Sequence, residues 1–194
     1  LLSCHGHNFT YVQRGHSFES SLQETMLWLA EDHTLNVLTG GIDELTQDSF
    51  DIMARFGTYK NVHDHYTTAS EGCIAGEGAN VFLMSGIRNE KSYAELCDLR
   101  LCVSQDIAEE LGELLKQNQI AASAIDTVLI GSNGDKRYDD MIFAQLQMLE
   151  HARFIDYKRW CGEYPTSGAF GMALASVFLH HQKIQKQVVH ILAA

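Results

Sequence analysis

Histidine, cysteine and acidic residues gather at short spacing in a few places, and each place suggests a chemistry. Cys4-His5-Gly6-His7 and His63-Asp64-His65 carry side chains of the types that bind zinc. Neither has the second half that a closed zinc site needs, so both read as loop histidines in solvent, and no metal or cofactor is expected. His16-Ser17 places a hydroxyl nucleophile beside a base. A serine at a helix start is more often an N-cap, and a serine–histidine pair usually draws its base from elsewhere in the fold. His180-His181 fall near a helix end, where a cation suits the dipole. Asp135, Asp139 and Asp140 have the acidity to hold a divalent cation, but a solvated turn and helix N-terminus is the plainer reading. Cys161 reads as a small core residue.

The elements that must position these residues alternate between strand and helix, which predicts an α/β layered domain. The organising stretch is Ala75-Gly76-Glu77-Gly78 followed by Ala79-Asn80-Val81-Phe82-Leu83-Met84. It reads as a glycine-flanked turn running into a central strand covered on both faces. Before it come a helix from a Ser17 cap to about Asp32, a strand at 35–38 stopping at Gly40-Gly41, and a second helix at 47–56 capped by Thr46. A long loop fills 60–71. After it come a strand over 92–103, a helix from a Ser104 cap to about Gln117, a strand at 125–130 and a helix at 138–151. The pattern then opens a helix at 172–183 behind Pro165-Thr166-Ser167-Gly168-Ala169-Phe170-Gly171 and closes with a strand at 187–192. Gly168 to Gly171 reads as close helix packing.

Composition narrows the partners. The 194 residues carry a formal net charge of -11, a poor balance for binding nucleic acid or an anionic membrane. Five cysteines without a CxxC pair read as reduced thiols, which places the protein in the cytoplasm. No apolar run reaches the roughly 18 residues of a spanning helix, so no membrane span is expected. The chain opens on Leu1-Leu2-Ser3-Cys4 without an initiator Met and reads as part of a longer protein.

Four stretches carry a resemblance. Val37 to Thr46 (VLTGGIDELT), Glu71 to Ser85 (EGCIAGEGANVFLMS), Ile125 to Asp140 (IDTVLIGSNGDKRYDD) and Gly162 to Ala175 (GEYPTSGAFGMALA) lie in this order across the chain. They resemble the strands and loops around the active site of β-ketoacyl synthases. The resemblance implies a thiolase-like fold of layers α-β-α-β-α in a single domain. About 1–90 would form the end of its first half and about 91–194 its second half, with the opening part of the first half absent.

The resemblance also implies a nucleophilic cysteine and two histidines, and here the sequence departs from it. The cysteine position falls near Gly15, His16 or Ser17, the first histidine near Gly131 and the second near Pro165, and the expected lysine near Trp160, with Lys158 close by. No catalytic residue is assigned; His16, Ser17, Gly131 and Pro165 stand as degenerate positions. The expectation is a non-catalytic synthase homologue of fatty acid or polyketide biosynthesis, aryl polyene pathways included, similar to chain length factors. It would dimerise with an active synthase subunit or with itself. Acyl carrier protein is a further candidate partner, although the chain's acidity argues against direct docking. The alternative is an active 3-oxoacyl synthase, an acyltransferase whose nucleophile is replaced or lies in the missing region.

Overall fold

The computed structural model describes residues 6–60, 70–102, 104, 106–182 and 188–191. Two sheets organise them. Strand β3 (Thr127–Ile130) is buried at all four positions and has no wet face. It therefore takes the centre of a parallel sheet, flanked by β4 (Arg153–Asp156) and β5 (Val188–Ile191). Its side chains alternate between two cores, as the strand period requires. Val128 and Ile130 point to a cluster with Leu111 and Leu115 of helix α3 (Ile107–Gln117) and Ile142 of α4 (Lys136–Ala144). Leu129 points the other way, with Ile155 and Tyr157, toward Phe170, Leu174 and Phe178 of helix α6 (Ser167–His180). Each such fully buried aliphatic side chain contributes about 1.5–3 kcal/mol of transfer free energy.

The second sheet is a two-stranded antiparallel pair, β1 (Asn36–Asp43) and β2 (Gly78–Ser85), with Leu38 opposite Leu83 and Ile42 opposite Ala79. Its inner face meets the middle helices. Phe18 and Leu22 of α1 (Ser17–Glu31) and Ala169 of α6 pack with Phe82 and Met84. Helix α6 thus lies between the two sheets, and the order of layers is β1–β2, then α1 and α6, then β4–β3–β5, then α3 and α4. Among the described residues these are four successive layers of the expected α-β-α-β-α order. The uncovered sheet face shows Leu38, Ile42, Val81 and Leu83, which are 48, 72, 61 and 69% exposed. The reading of β2 as covered on both faces is corrected by this: its burial alternates along the strand.

Helix α2 (Gln47–Arg55) starts where its cap predicted, with the Thr46 hydroxyl accepting from the Ser49 N–H at 3.2 Å. Other boundaries move. Gly40-Gly41 does not end β1 but lies inside it, because Gly41 abuts Thr166: a Cβ there would fall 2.4 Å from the Thr166 Cβ. Residues 92–102 form no strand; Leu96 and Leu99 of this irregular segment pack on the α1–α6 core. Asp106, not Ser104, caps α3 by accepting from the Glu109 N–H at 2.9 Å, while the Ser104 hydroxyl accepts from the Asp106 N–H. The helix expected over 138–151 is cut to α4 and a 3-10 turn at Gln147–Leu149, followed by the unanticipated β4. Helix α6 begins five residues ahead of Met172, at Ser167. Most of the 60–71 loop, with His63, Asp64 and His65, lies outside the described residues, as do Cys4, His5, Gln187 and Leu192.

Candidate functional site

Three segments converge where the sequence resemblance places the active site. The first is the start of α1. Residues Arg14–His16 form a 3-10 turn leading into it. Ser17 does not cap the helix. Its hydroxyl donates to the Arg14 carbonyl and accepts from the Gln13 N–H, both at 2.8 Å, while His16 holds the N-cap position without a side-chain bond. Among the described residues no hydrogen bond joins His16 to Ser17. Two residues on, Phe18 and Glu19 are buried.

The second segment is the turn after β3. Gly131 is buried, and its N–H donates to the Ile191 carbonyl at 2.8 Å. Asp139 closes the turn by accepting from the N–H groups of Asn133 (3.2 Å) and Gly134 (2.8 Å). Asp135 caps α4 and is forked by the Arg137 guanidinium. Burial opposes ionisation of Asp135, but the bonds from Arg137 win and hold its carboxyl below the usual range. Asp135 is therefore a buried, paired group, which corrects the solvated-turn reading; with Asp139 it is engaged internally rather than arranged as a cation site. Turned inward from the same loop, Asn133 Nδ2 donates to Glu163 Oε2 at 2.9 Å.

The third segment runs from the end of β4 through the short helix α5 (Lys158–Cys161) to the start of α6. Gly162 has φ +75° and passes against Gly76, where a Cβ would lie 2.0 Å from the Cys161 carbonyl oxygen. This close approach lets Gly76 N–H donate to the Glu163 carbonyl (3.0 Å) and Glu163 N–H to the Ile74 carbonyl (2.8 Å). Pro165 itself is exposed. Next to it the Thr166 N–H and hydroxyl both donate to Asp43 Oδ2, at 2.8 and 2.5 Å, tying the end of β1 to the start of α6.

The centre of this convergence is charged. Lys158 is 2% exposed, and its ammonium donates to Glu163 Oε2 at 2.8 Å. Glu19, 7% exposed, has neither carboxyl oxygen hydrogen-bonded. Burial pushes its carboxyl up to about 7, against the opposing pull of its own backbone N–H and of Lys158. The thiols nearby are protonated at neutral pH: burial pushes Cys161 up to about 11 and Cys73 up to about 12. A nucleophilic cysteine needs the reverse shift. Two shallow hollows are lined by other residues, one by Leu45, Thr46, Gln47 and Phe50 and one by Asn89, Glu90 and Lys91.

The loops that hold Gly131 and Pro165 are joined through Asn133 and Glu163, but Gly131 and Pro165 themselves offer no side-chain chemistry there. The contacts belong to Asn133, Lys158 and Glu163, with Glu19 buried on the first turn of α1. Sequence reading passed over these four except for noting Lys158 near the expected lysine. The available signal was the spacing of Lys158 and Glu163 about Gly162. Two other described histidines stack on aromatic rings. The His180 ring lies 4.2 Å from that of Tyr93 at the far end of α6, and the His7 ring lies 5.0 Å from that of Trp28.

No family model matches the sequence, and no curated protein matches it. Solved structures do. The ketosynthase from module 6 of the bacillaene synthase of Bacillus subtilis 168 superposes with a TM-score of 0.67 at 13% identity, over 92% of this chain and 40% of that one. The ishigamide ketosynthase/chain length factor gives 0.63 at 18% identity, over 88% of this chain and 48% of that one. A type II polyketide synthase acyl-carrier protein in complex with its ketosynthase gives 0.65 at 13% identity, over 93% of this chain and 54% of the matched one. The fold is therefore the thiolase-like fold of the ketosynthases, and the chain spans about half or less of these relatives' length. Among the described residues no helix is long and apolar enough to cross a membrane.

Proposed function

We propose that this chain is a non-condensing, ketosynthase-like subunit of fatty acid or polyketide biosynthesis, with aryl polyene pathways among the candidates. It pairs with an active β-ketoacyl synthase subunit, or with a second copy, and helps shape the acyl tunnel of that assembly. On this reading residues 1–90 end the first half of the fold and residues 91–194 form the second half, in a cytoplasmic dimer. The observation that supports the proposal is the Lys158–Glu163–Asn133 network, in segments where the resemblance would put two histidines opposite an activated thiol. His16, Ser17, Gly131 and Pro165 supply no thiol, and neither Gly131 nor Pro165 is a histidine.

Intact mass after incubation with an acyl-loaded carrier protein tests the reading. The expected result is no adduct on this chain, and an adduct only on a co-purifying synthase partner. A covalent acyl group on this chain alone overturns the proposal and makes the chain an active acyltransferase.

A further inference from the structure

Residues 92–102 run between two layers of the fold with almost no main-chain bonding. Among the described residues, the one hydrogen bond they make from main chain to main chain is at the entry turn, where the Ser92 N–H donates to the Asn89 carbonyl at 3.0 Å. Side chains hold the rest. The Tyr93 ring meets that of His180 at the end of α6. Leu96 and Leu99 pack on the cluster that Phe18, Leu22 and Ala169 form between α1 and α6. The following residues are fastened to α3 by charge. Arg100 Nε donates to Glu110 Oε2 and Arg100 Nη2 to Glu113 Oε2, both at 2.5 Å. Asn118, at the end of α3, donates from Nδ2 to Asp98 Oδ2 at 2.6 Å.

These attachments differ in strength. A segment bonded into a sheet opens with its sheet, whereas one without a main-chain ladder opens at lower cost. Leu96 and Leu99 are half-buried, so each holds less firmly than a fully buried leucine. The Arg100 side chain is 27% exposed, with Glu110 at 26% and Glu113 at 53%. Ion pairs this wet are screened by salt. We propose that residues 92–102 are an ion-held lid: Arg100 pins the segment to α3, and on release it lifts as a unit and bares the Phe18–Leu22–Ala169 cluster while both sheets stay formed. Phe18 follows the degenerate position Ser17, so the lid governs access to the start of α1. This goes beyond the subunit's role in biosynthesis and does not depend on it.

Thiol labelling of the full chain with iodoacetamide tests the lid. Leu22, 3% exposed, is changed to cysteine (Leu22→Cys) in two backgrounds, one with Arg100 and one with Arg100→Gln. Native Cys73, 2% exposed and bonded to the Thr58 carbonyl, is the reference. Peptide mass mapping follows both thiols, and any packing lost to Leu22→Cys is common to the two chains. Arg100→Gln should speed labelling of the introduced thiol roughly five-fold, as loss of two partly exposed ion pairs predicts, and leave Cys73 unchanged. Raising sodium chloride from about 0.05 to about 1 M should speed the introduced thiol while Arg100 is present and have little effect once it is gone. Equal acceleration of both thiols would mean that Arg100 acts only through global stability, and it overturns the proposal. So does an introduced thiol that ignores Arg100→Gln, or one whose salt response is the same in both chains.

Discussion

The Lys158 ammonium donates to Glu163 Oε2 at 2.8 Å, and the two side chains are 3 and 21% exposed. The lysine sits at the start of α5, and the glutamate lies five residues on, past the left-handed Gly162. Through Asn133 the same oxygen reaches the turn after β3, so one ion pair fastens the two segments to which the resemblance assigns the histidines.

Removing one partner of this pair should be costly. Lys158→Met leaves Glu163 buried against Asn133 alone, and a loss of about 3 kcal/mol is expected, the low end for a broken buried pair because Glu163 is partly wet. Asn133→Ala removes one neutral donor to a charged group and should cost about 1.5 kcal/mol. Urea denaturation of the three chains checks both values and their order.

Thiol reactivity should follow burial and not proximity to the site. Cys73 donates to the Thr58 carbonyl at 3.2 Å, and its thiol is raised to about 12; that of Cys161 is raised to about 11. Raised values mean almost no thiolate in mild alkali. Exposed Cys97 and Cys102 should be alkylated by iodoacetamide well before either. Peptide mass mapping over time reads the sequence of events, and early labelling of Cys161 would contradict the burial argument.

Gly41→Ala should unfasten β1 from α6. The added methyl would fall 2.4 Å from the Thr166 Cβ and 2.7 Å from its hydroxyl oxygen. Thr166 must then move off Asp43, breaking both bonds it makes there. Overpacking of this kind costs about 1–3 kcal/mol. Thermal unfolding should show a lower midpoint, and most of the loss should be absent when the Asp43–Thr166 contact has already been removed by Asp43→Ala.

The open face of β1–β2 should be tolerant in the isolated chain and intolerant of polarity in an assembly. Leu83 is 69% exposed opposite Leu38. Leu83→Lys should change stability by no more than about 0.5 kcal/mol while reducing concentration-dependent association. Sedimentation velocity across a dilution series distinguishes this from a buried leucine, whose loss would unfold the chain.

Legibility in the sequence followed how local the determining forces were. Thr46 and Ile107–Gln117 were readable because a cap and an amphipathic face are set by residues within a few positions. The 92–102 segment was misread because its leucines pack on α1 and α6 without a pairing partner, and apolar content alone does not make a strand. Gly40-Gly41 was misread as a stop because its reason lies at Thr166, far along the chain.

The sequence by itself determined the alternation of strands and helices, the four stretches that resemble a synthase and the unsuitability of Gly131 and Pro165 for histidine chemistry. These depend on residue type and on short spacing. Tertiary structure alone decided that burial alternates along β2, that α6 serves both sheets and that Lys158 pairs with Glu163. It also decided that Asn133, Lys158 and Glu163 share one oxygen. Those facts depend on groups brought together from distant parts of the chain, where the cost of burying a charge leaves few arrangements open.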